Sequence, residues 1–318
     1  MQTLTIIVPC YNEEAVIETC YTRLKATLDS LSLKSQVIFI NDGSRDETYS
    51  ILTAIAKRDS RVILINFSRN FGHQAAVTAG IHHCQTDFAI IIDADLQDPP
   101  ELIPDLLECR EREQANVVYC VRKSRTGESR FKLWSSKIFY RELNRLSEVK
   151  FPLDTGDFRL IDSKIIQEFN RFKERGKYIR GLISWVGFKQ VPFFYEREAR
   201  YAGKTKYPLK RMLSFASKAL FYFSKKPLLM AISLGFVAVI VGILMAFWYI
   251  FGKIFGYTNA ESGWTSIMIA IIFFGGIQLL TIGVLGQYIG ILFDEVKERP
   301  EYIIEEIVNN PVKISVKS

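Results

Sequence analysis

Residues 89–101 read AIIIDADLQDPPE. An apolar run ends in two acids one residue apart, Asp93 and Asp95, and the pair Pro99–Pro100 follows. A strand that is apolar on both faces is buried on both sides, the habit of parallel sheets covered by helices. Four other stretches share this character: TLTIIVP (3–9), SQVIFIND (35–42), RVILINF (61–67) and NVVYCV (116–121). Between them the apolar spacing changes to a helical period. Val16, Ile17, Cys20, Leu24, Leu28 and Leu31 fall on one helical face, with Asn12 as the expected cap. Ser44 and Glu47 predict a capping box ahead of Ile51, Leu52 and Ile55. Asp98 predicts the cap of a helix over 99–111. Strands and helices alternating in this way predict an α/β fold, a Rossmann-like and mostly parallel sheet.

In such sheets ligands bind outside the carboxyl ends of the strands. The stretches to inspect are therefore PCYNEE (9–14), NDGSRDE (41–47), SRNFGHQ (68–74) and DADLQD (93–98). Familiar nucleotide loops are absent from them. No Gly-x-Gly-x-x-Gly follows the first strand. AGKT at 202–205 ends like a phosphate loop, but Glu198 stands where that motif requires glycine. No internal repeat or low-complexity tract appears.

The chain has 318 residues, 48 % of them hydrophobic, and a formal charge of +7. Its mean hydropathy of +0.09 is high for a water-soluble protein, and the excess is local. No charged residue occurs from Pro227 to Gly252 or from Ser262 to Phe293. Each stretch exceeds the roughly 20 apolar residues that cross a bilayer core, which predicts two transmembrane helices near 228–251 and 265–292. The opening MQTLTIIVP reads as a strand rather than a secretion signal. Eight basic and no acidic residues lie between Arg200 and Lys226, while the connection between the helices carries only Lys253 and Glu261. By the positive-inside rule both termini are expected in the cytoplasm, with the protein in the cytoplasmic membrane. The expected organisation is a cytoplasmic α/β domain over 1–199, a basic amphipathic segment over 200–227, a two-helix membrane domain over 228–293 and a tail over 294–318. The five cysteines contain no Cys-x-x-Cys pair and are expected as reduced, half-buried apolar residues.

Side chains at i and i+2 of a strand share a face, so Asp93 and Asp95 are expected together at the mouth of the sheet. Two carboxylates so close repel unless a cation neutralises them or one stays protonated. Mg²⁺ or Mn²⁺ shared with a diphosphate meets that need. An isolated Asp-x-Asp is otherwise a solvated turn or a helix cap.

Six motifs in order carry a family resemblance: IIVPCYNEE, INDGSRDET, SRNFGHQAAVTAG, DADLQDPPE, TGDFRLID and RYAGKTKY, ahead of the two-helix stretch. Together they resemble glycosyltransferase family 2, and within it the polyprenyl-phosphate glycosyltransferases of the bactoprenol glucosyltransferase and dolichyl-phosphate mannose synthase group. The likeness covers almost the whole chain. It implies the GT-A fold and transfer of a sugar, with inversion, from a nucleotide sugar to a membrane lipid phosphate. It implies UDP-glucose and undecaprenyl phosphate as substrates, with GDP-mannose and other UDP-sugars as runners-up. Pro9, Tyr11, Asn12 and Glu13 would then line the nucleoside pocket, and Asp42 would contact the base. By spacing alone Asp42 is nearly as well read as a turn carboxylate before Gly43. Asp93 would sit by the ribose and diphosphate, and Asp95 would be the main metal ligand. Asp157 matches the family's catalytic carboxylate, as a base, as an orienting group, or as a structural partner of Arg159. Arg200 and Lys206 match basic residues near the acceptor phosphate. His73 stands where many relatives have lysine and receives no role. The Gln-x-x-Arg-Trp motif of processive synthases is absent, which argues against polymer formation.

The basic stretch suits an anionic lipid. Met212, Phe215, Ala219, Tyr222 and Phe223 recur at helical spacing within it, which reads as an interfacial helix. Setting topology and binding anionic lipid is the plainer use of its lysines. RFKLWSSKIFYRELNRL (130–146) suits either a membrane surface or a core. Two other classes fit the sequence less well. A non-catalytic nucleotide-sugar-binding protein would lack the strand-end acids or Asp157. A channel or transporter should carry charges within its spans, where only Gln278 and Gln287 are amide side chains. Gly275, Gly276, Gly283, Gly286 and Gly290 instead suit helix packing and self-association into a homo-oligomer, a tetramer being one arrangement. No nucleic-acid partner is expected.

Overall fold

The computed structural model describes residues 2–122, 155–174, 177–196, 226–255 and 263–309. All five expected strands form. β1 (Thr3–Cys10) pairs in parallel with β2 (Lys34–Asn41) on one side and with β4 (Phe88–Ile91) on the other, and β2 pairs in parallel with β3 (Val62–Phe67). Beyond β4 lies β6 (Thr155–Asp162), antiparallel to it, then β5 (Val117–Arg122), antiparallel to β6, then β7 (Gln190–Tyr195), parallel to β5. β8 (Ile304–Val308) adds antiparallel to β3. The order is β7-β5-β6-β4-β1-β2-β3-β8. This is a GT-A-like, mostly parallel α/β sheet. Sequence reading missed β6, β7 and β8.

Among the described residues, six α-helices belong to this unit: α1 (Ile17–Asp29), α2 (Thr48–Arg58), α3 (His73–His82), α4 (Ile103–Glu113), α5 (Ser163–Arg171) and α6 (Ile179–Trp185). One side of the core joins Leu24 and Leu28 of α1 and Leu52 and Ile55 of α2 to Ile6, Val8, Phe39 and Leu64 of the strands. Withdrawing each such side chain from water contributes roughly 1.5–3 kcal/mol. On the other side α3 lies so close to β1 that a Cβ at Gly80 would overlap Ile7 Cγ2. All five cysteines are free and fully buried rather than half-buried.

Three expected caps are corrected. α1 starts at Ile17 with no side-chain cap; Asn12, at φ 53°, turns elsewhere. α2 starts at Thr48 without a side-chain cap, so no capping box forms. Asp98 does not cap the 3₁₀ turn Pro100–Leu102 that leads into α4; it is fully buried and accepts the Tyr195 hydroxyl. In each case tertiary partners outcompete the local hydrogen bond.

Residues 226–255 and 263–298 belong to a second compact unit. Among the described residues it contains two long helices, α7 (Lys226–Ile254) and α8 (Gly263–Val296). Among the described residues one helical segment, Phe273–Val296, is long and apolar enough to cross a membrane, while the apolar part of α7, Leu228–Leu244, is shorter. Of the two spans expected, one is matched by a helical segment that passes that test. A cavity of about 600 Å³ between them is lined by Gly235, Ala238, Gly242, Phe274, Gln278 and Thr281. The stretches 130–146 and 200–225, with Arg200 and Lys206, lie outside the described residues.

Candidate active site

The loops after β1 and β2 are sewn together at the carboxyl end of the sheet. Asn12 N donates to Ser44 Oγ at 3.0 Å, and Asn12 Oδ1 accepts from Arg45 N at 2.9 Å. Glu13 N donates to Thr48 Oγ1 at 2.8 Å, and Glu14 N to Asp46 Oδ2 at 3.2 Å. The residues expected to cap helices hold these two loops to each other instead. Pro9 is buried in β1, Tyr11 and Glu13 are half-buried, and Asn12 is exposed, all along this rim.

Asp42 supports the loop that follows β3. It is only 3 % exposed, and its carboxylate accepts from Asn70 Nδ2 (2.9 Å), Phe71 N (2.7 Å) and Gly72 N (3.0 Å). Gly43 follows at φ 64°, and a Cβ there would overlap the Arg69 carbonyl carbon, so only glycine allows the approach. Asp42 thereby fixes the loop that delivers His73 at the start of α3.

β4 ends at Ile91, so Asp93 and Asp95 are not strand residues as expected. The two-residue alternation nevertheless persists: Ala94, Leu96 and Asp98 are buried, while Asp93, Asp95 and Gln97 are partly exposed. The pair shares the open side after all. Asp95 Oδ1 accepts from Gln97 N at 3.1 Å, which steadies the turn that contains Leu96 at φ 57°. Burial pushes the Asp93 carboxyl up to about 6, with Asp157, Asp98 and Asp95 adding repulsion and His73 opposing it. At this carboxyl, burial and the neighbouring acids outweigh the attraction of His73.

β6 supplies the third acid. Its register against β4 pairs Ile91 with Arg159, and Asp157, two residues before Arg159, lies close enough to Asp93 for their charges to repel. Asp157 is 7 % exposed. Its partners are not Arg159, which bonds Gly156 O instead. Arg180, one residue into α6, donates from Nε to Oδ1 at 2.7 Å and from Nη2 to Oδ2 at 3.1 Å, and His73 Nε2 lies 3.0 Å from Oδ2. Burial opposes ionisation of Asp157, but Arg180 and His73 outweigh it and hold the carboxyl well below its usual range. Burial likewise disfavours charge on His73, and the bond to Asp157 with the charges of Asp93 and Asp157 pushes its pKa up to about 9 instead. His73 Nε2 is also 3.8 Å from Asp93 Oδ1, so one imidazolium spans both acids.

His73 and Arg180 are the residues that sequence reasoning missed. The one local sign for His73 was Gly72 before a helix start; Arg180, in KYIRGLISW, had none. No three acidic, histidine or cysteine side chains among the described residues converge on a single metal position. A divalent ion would therefore rest on one or two carboxylates and complete its shell from substrate oxygens, as Mg²⁺ does. The partly exposed Asp93–Asp95 pair, with the Asp93 carboxyl pushed up by burial and by its acidic neighbours, fits such an ion.

The site is one of carboxylates and cations at a sheet mouth, and residues 5–169 match the model of "Glycosyl transferase family 2". A Bacillus subtilis (strain 168) protein named uncharacterized glycosyltransferase YkcC is 45 % identical over 95 % of this chain and 93 % of its own. A prophage bactoprenol glucosyl transferase homolog of Escherichia coli (strain K12) is 37 % identical over 96 % of this chain and 99 % of its own. A solved structure of glucosyl-3-phosphoglycerate synthase from Mycobacterium tuberculosis, with Mn²⁺, UDP-glucose and phosphoglyceric acid, matches 69 % of this chain and 78 % of its own at 21 % identity and TM-score 0.45. The chain belongs to glycosyltransferase family 2 and is a glycosyltransferase.

Proposed function

We propose that this enzyme moves a sugar, glucose from UDP-glucose, onto polyprenyl phosphate at the cytoplasmic face of a membrane. The observation that carries the reading is the near-full-length likeness to a bactoprenol glucosyl transferase homolog, which extends through both long helices. An oxygen of the lipid phosphate attacks the anomeric carbon, the bond from that carbon to the diphosphate breaks, and the nucleoside diphosphate leaves. Pro9, Tyr11, Asn12 and Glu13 line the nucleoside pocket. Asp93 and Asp95 hold Mg²⁺ or Mn²⁺, which when bound neutralises the diphosphate that departs. Arg200 and Lys206 meet the acceptor phosphate. α7 and α8 both serve as spans, residues 200–227 lie along the interface, and both termini face the cytoplasm.

Asp157 acts in this reading as a fixed negative charge rather than a base. A phosphate monoester, with a second pKa of roughly 6, is largely dianionic at neutral pH and needs little deprotonation. A carboxylate held by Arg180 and His73 is also a poor proton acceptor. Its charge favours the positive charge that develops at the anomeric carbon and orients the sugar.

Radiolabelled UDP-glucose incubated with the full-length protein and a short-chain polyprenyl phosphate should place label in a butanol-extractable lipid. Excess EDTA should stop transfer, and Mg²⁺ or Mn²⁺ should restore it. Label that enters lipid from GDP-mannose alone would replace the donor, and no lipid label from any nucleotide sugar would refute the reading.

A further inference from the structure

The chain returns from α8 to the sheet at Glu301 and Tyr302, far in sequence from the site but joined to it. Tyr302 stacks on Phe67 of β3, with ring centroids 5.1 Å apart and planes at 10°. Its hydroxyl is 2.9 Å from His82 Nδ1, at the last residue of α3. His82 Nε2 lies 3.5 Å from Lys177 Nζ, which is also 3.4 Å from Glu301 Oε2 and 5.6 Å above the Phe169 ring. An ammonium group only donates, so Nε2 is the acceptor and Nδ1 carries the proton given to Tyr302.

Lys177 is 5 % exposed. A buried ammonium depends on its partners, and removing one of them is far more costly than never having had the pair. Two residues on, Ile179 N donates to Gln74 Oε1 at 3.0 Å, next to His73. Arg180 follows, with its bidentate grip on Asp157. Residues 177–180 are thus fastened at one end by the C-terminal segment, in the middle by α3 and at the other end by the site.

We infer that Glu301 and Tyr302 are positioning residues for the reaction: by seating Lys177 and His82 they set where Arg180 holds Asp157. β8 is more than a cover for the edge of β3. Consecutive Cα atoms are 3.80 Å apart and cannot stretch, so a shift at Lys177 reaches Arg180 across three peptide bonds. A displacement of about 1 Å at a reacting group costs on the order of 10²-fold in rate. The inference rests on Asp157 acting in transfer as described above.

The experiment compares Glu301→Gln and the milder Tyr302→Phe with wild type in the full-length, detergent-solubilised protein. In hydrogen exchange, the amides of 177–180, Ile179 above all, should exchange faster, while β3 keeps its protection because β8 stays paired. In turnover, kcat should fall about 10- to 100-fold at unchanged KM for the nucleotide sugar. Adding Glu301→Gln to Arg180→Lys should cost nothing beyond Arg180→Lys alone, because the latch acts through that side chain. Wild-type exchange at 177–180 in both variants, unchanged kcat, or losses that multiply in the double variant would each overturn the inference. Hydrogen exchange needs no substrate. Wild-type protein that transfers no sugar would therefore refute the functional reading, whereas the exchange rates test the coupling on their own.

Discussion

Phe39 in β2 has no exposed surface, whereas Phe236 in α7 leaves 67 % of its surface uncovered. The contrast runs through both units. Ile6, Ile38, Leu64 and Ile90 are enclosed between sheet and helices, while Leu229, Trp248, Leu279 and Leu292 point outward. Apolar side chains in the sheet unit stabilise by leaving water. Those of the long helices leave nothing by folding, and a hydrocarbon solvent suits them best. The proposed function gives the same composition two solvents, water around the sheet unit and hydrocarbon around the long helices. The period of the pattern tells them apart: strands of four to eight residues against uninterrupted apolar runs of more than about 20.

The largest effect should come from opening the enclosed core. Phe39→Ala should cost about 3–5 kcal/mol, read as the shift in denaturant midpoint of the sheet unit in the detergent-solubilised chain. Next comes overpacking: Gly80→Ala drives a methyl into Ile7, for a loss of about 1–3 kcal/mol. Leu279→Ala on α8, by contrast, should stay within about 0.5 kcal/mol in the same assay. A loss there as large as at Phe39 would break the comparison, since it would mean that Leu279 is packed rather than facing solvent.

How much of this was legible follows from which residues carry the signal. β1 to β5 were readable because their β-branched runs are buried on both faces. β6 was hidden by Asp157 and Arg159, charged residues inside a strand whose partners lie elsewhere in the chain. β7 contains Pro192, which an edge strand tolerates because the missing N–H faces no neighbour. β8 is an edge strand with exposed Glu305 and Glu306. The strand-end acids were legible as a group. Their clamp was not, since His73 and Arg180 meet Asp157 across 84 and 23 residues. Likewise Asn12, Ser44 and Asp98 are good local caps that tertiary partners claimed.

A smaller effect should appear with pH. Burial, then the charge of Lys177 and then that of His83, push the His82 pKa from 6.5 down to about 4; Tyr302, which also faces it, bonds the neutral ring. A depressed histidine favours folding where it is neutral. Its contribution is complete above pH 6.5 and is lost as pH falls through about 4. The melting temperature of wild type should decline over that window, and His82→Gln should flatten the decline. An identical profile in the variant would assign the acid limb to the carboxylates.

The most direct test of the account is Asp157→Asn in the full-length enzyme. The substitution keeps the shape of the side chain and removes the charge that Arg180 and His73 hold in place. The fold and nucleotide-sugar binding should be kept, at a lowered melting temperature because Arg180 and His73 lose their counter-charge. Transfer to polyprenyl phosphate should fall roughly 10²–10³-fold, the scale seen when one preorganised charge-stabilising group is lost. Transfer at the wild-type rate with the fold intact would remove Asp157 from the reaction and contradict the account.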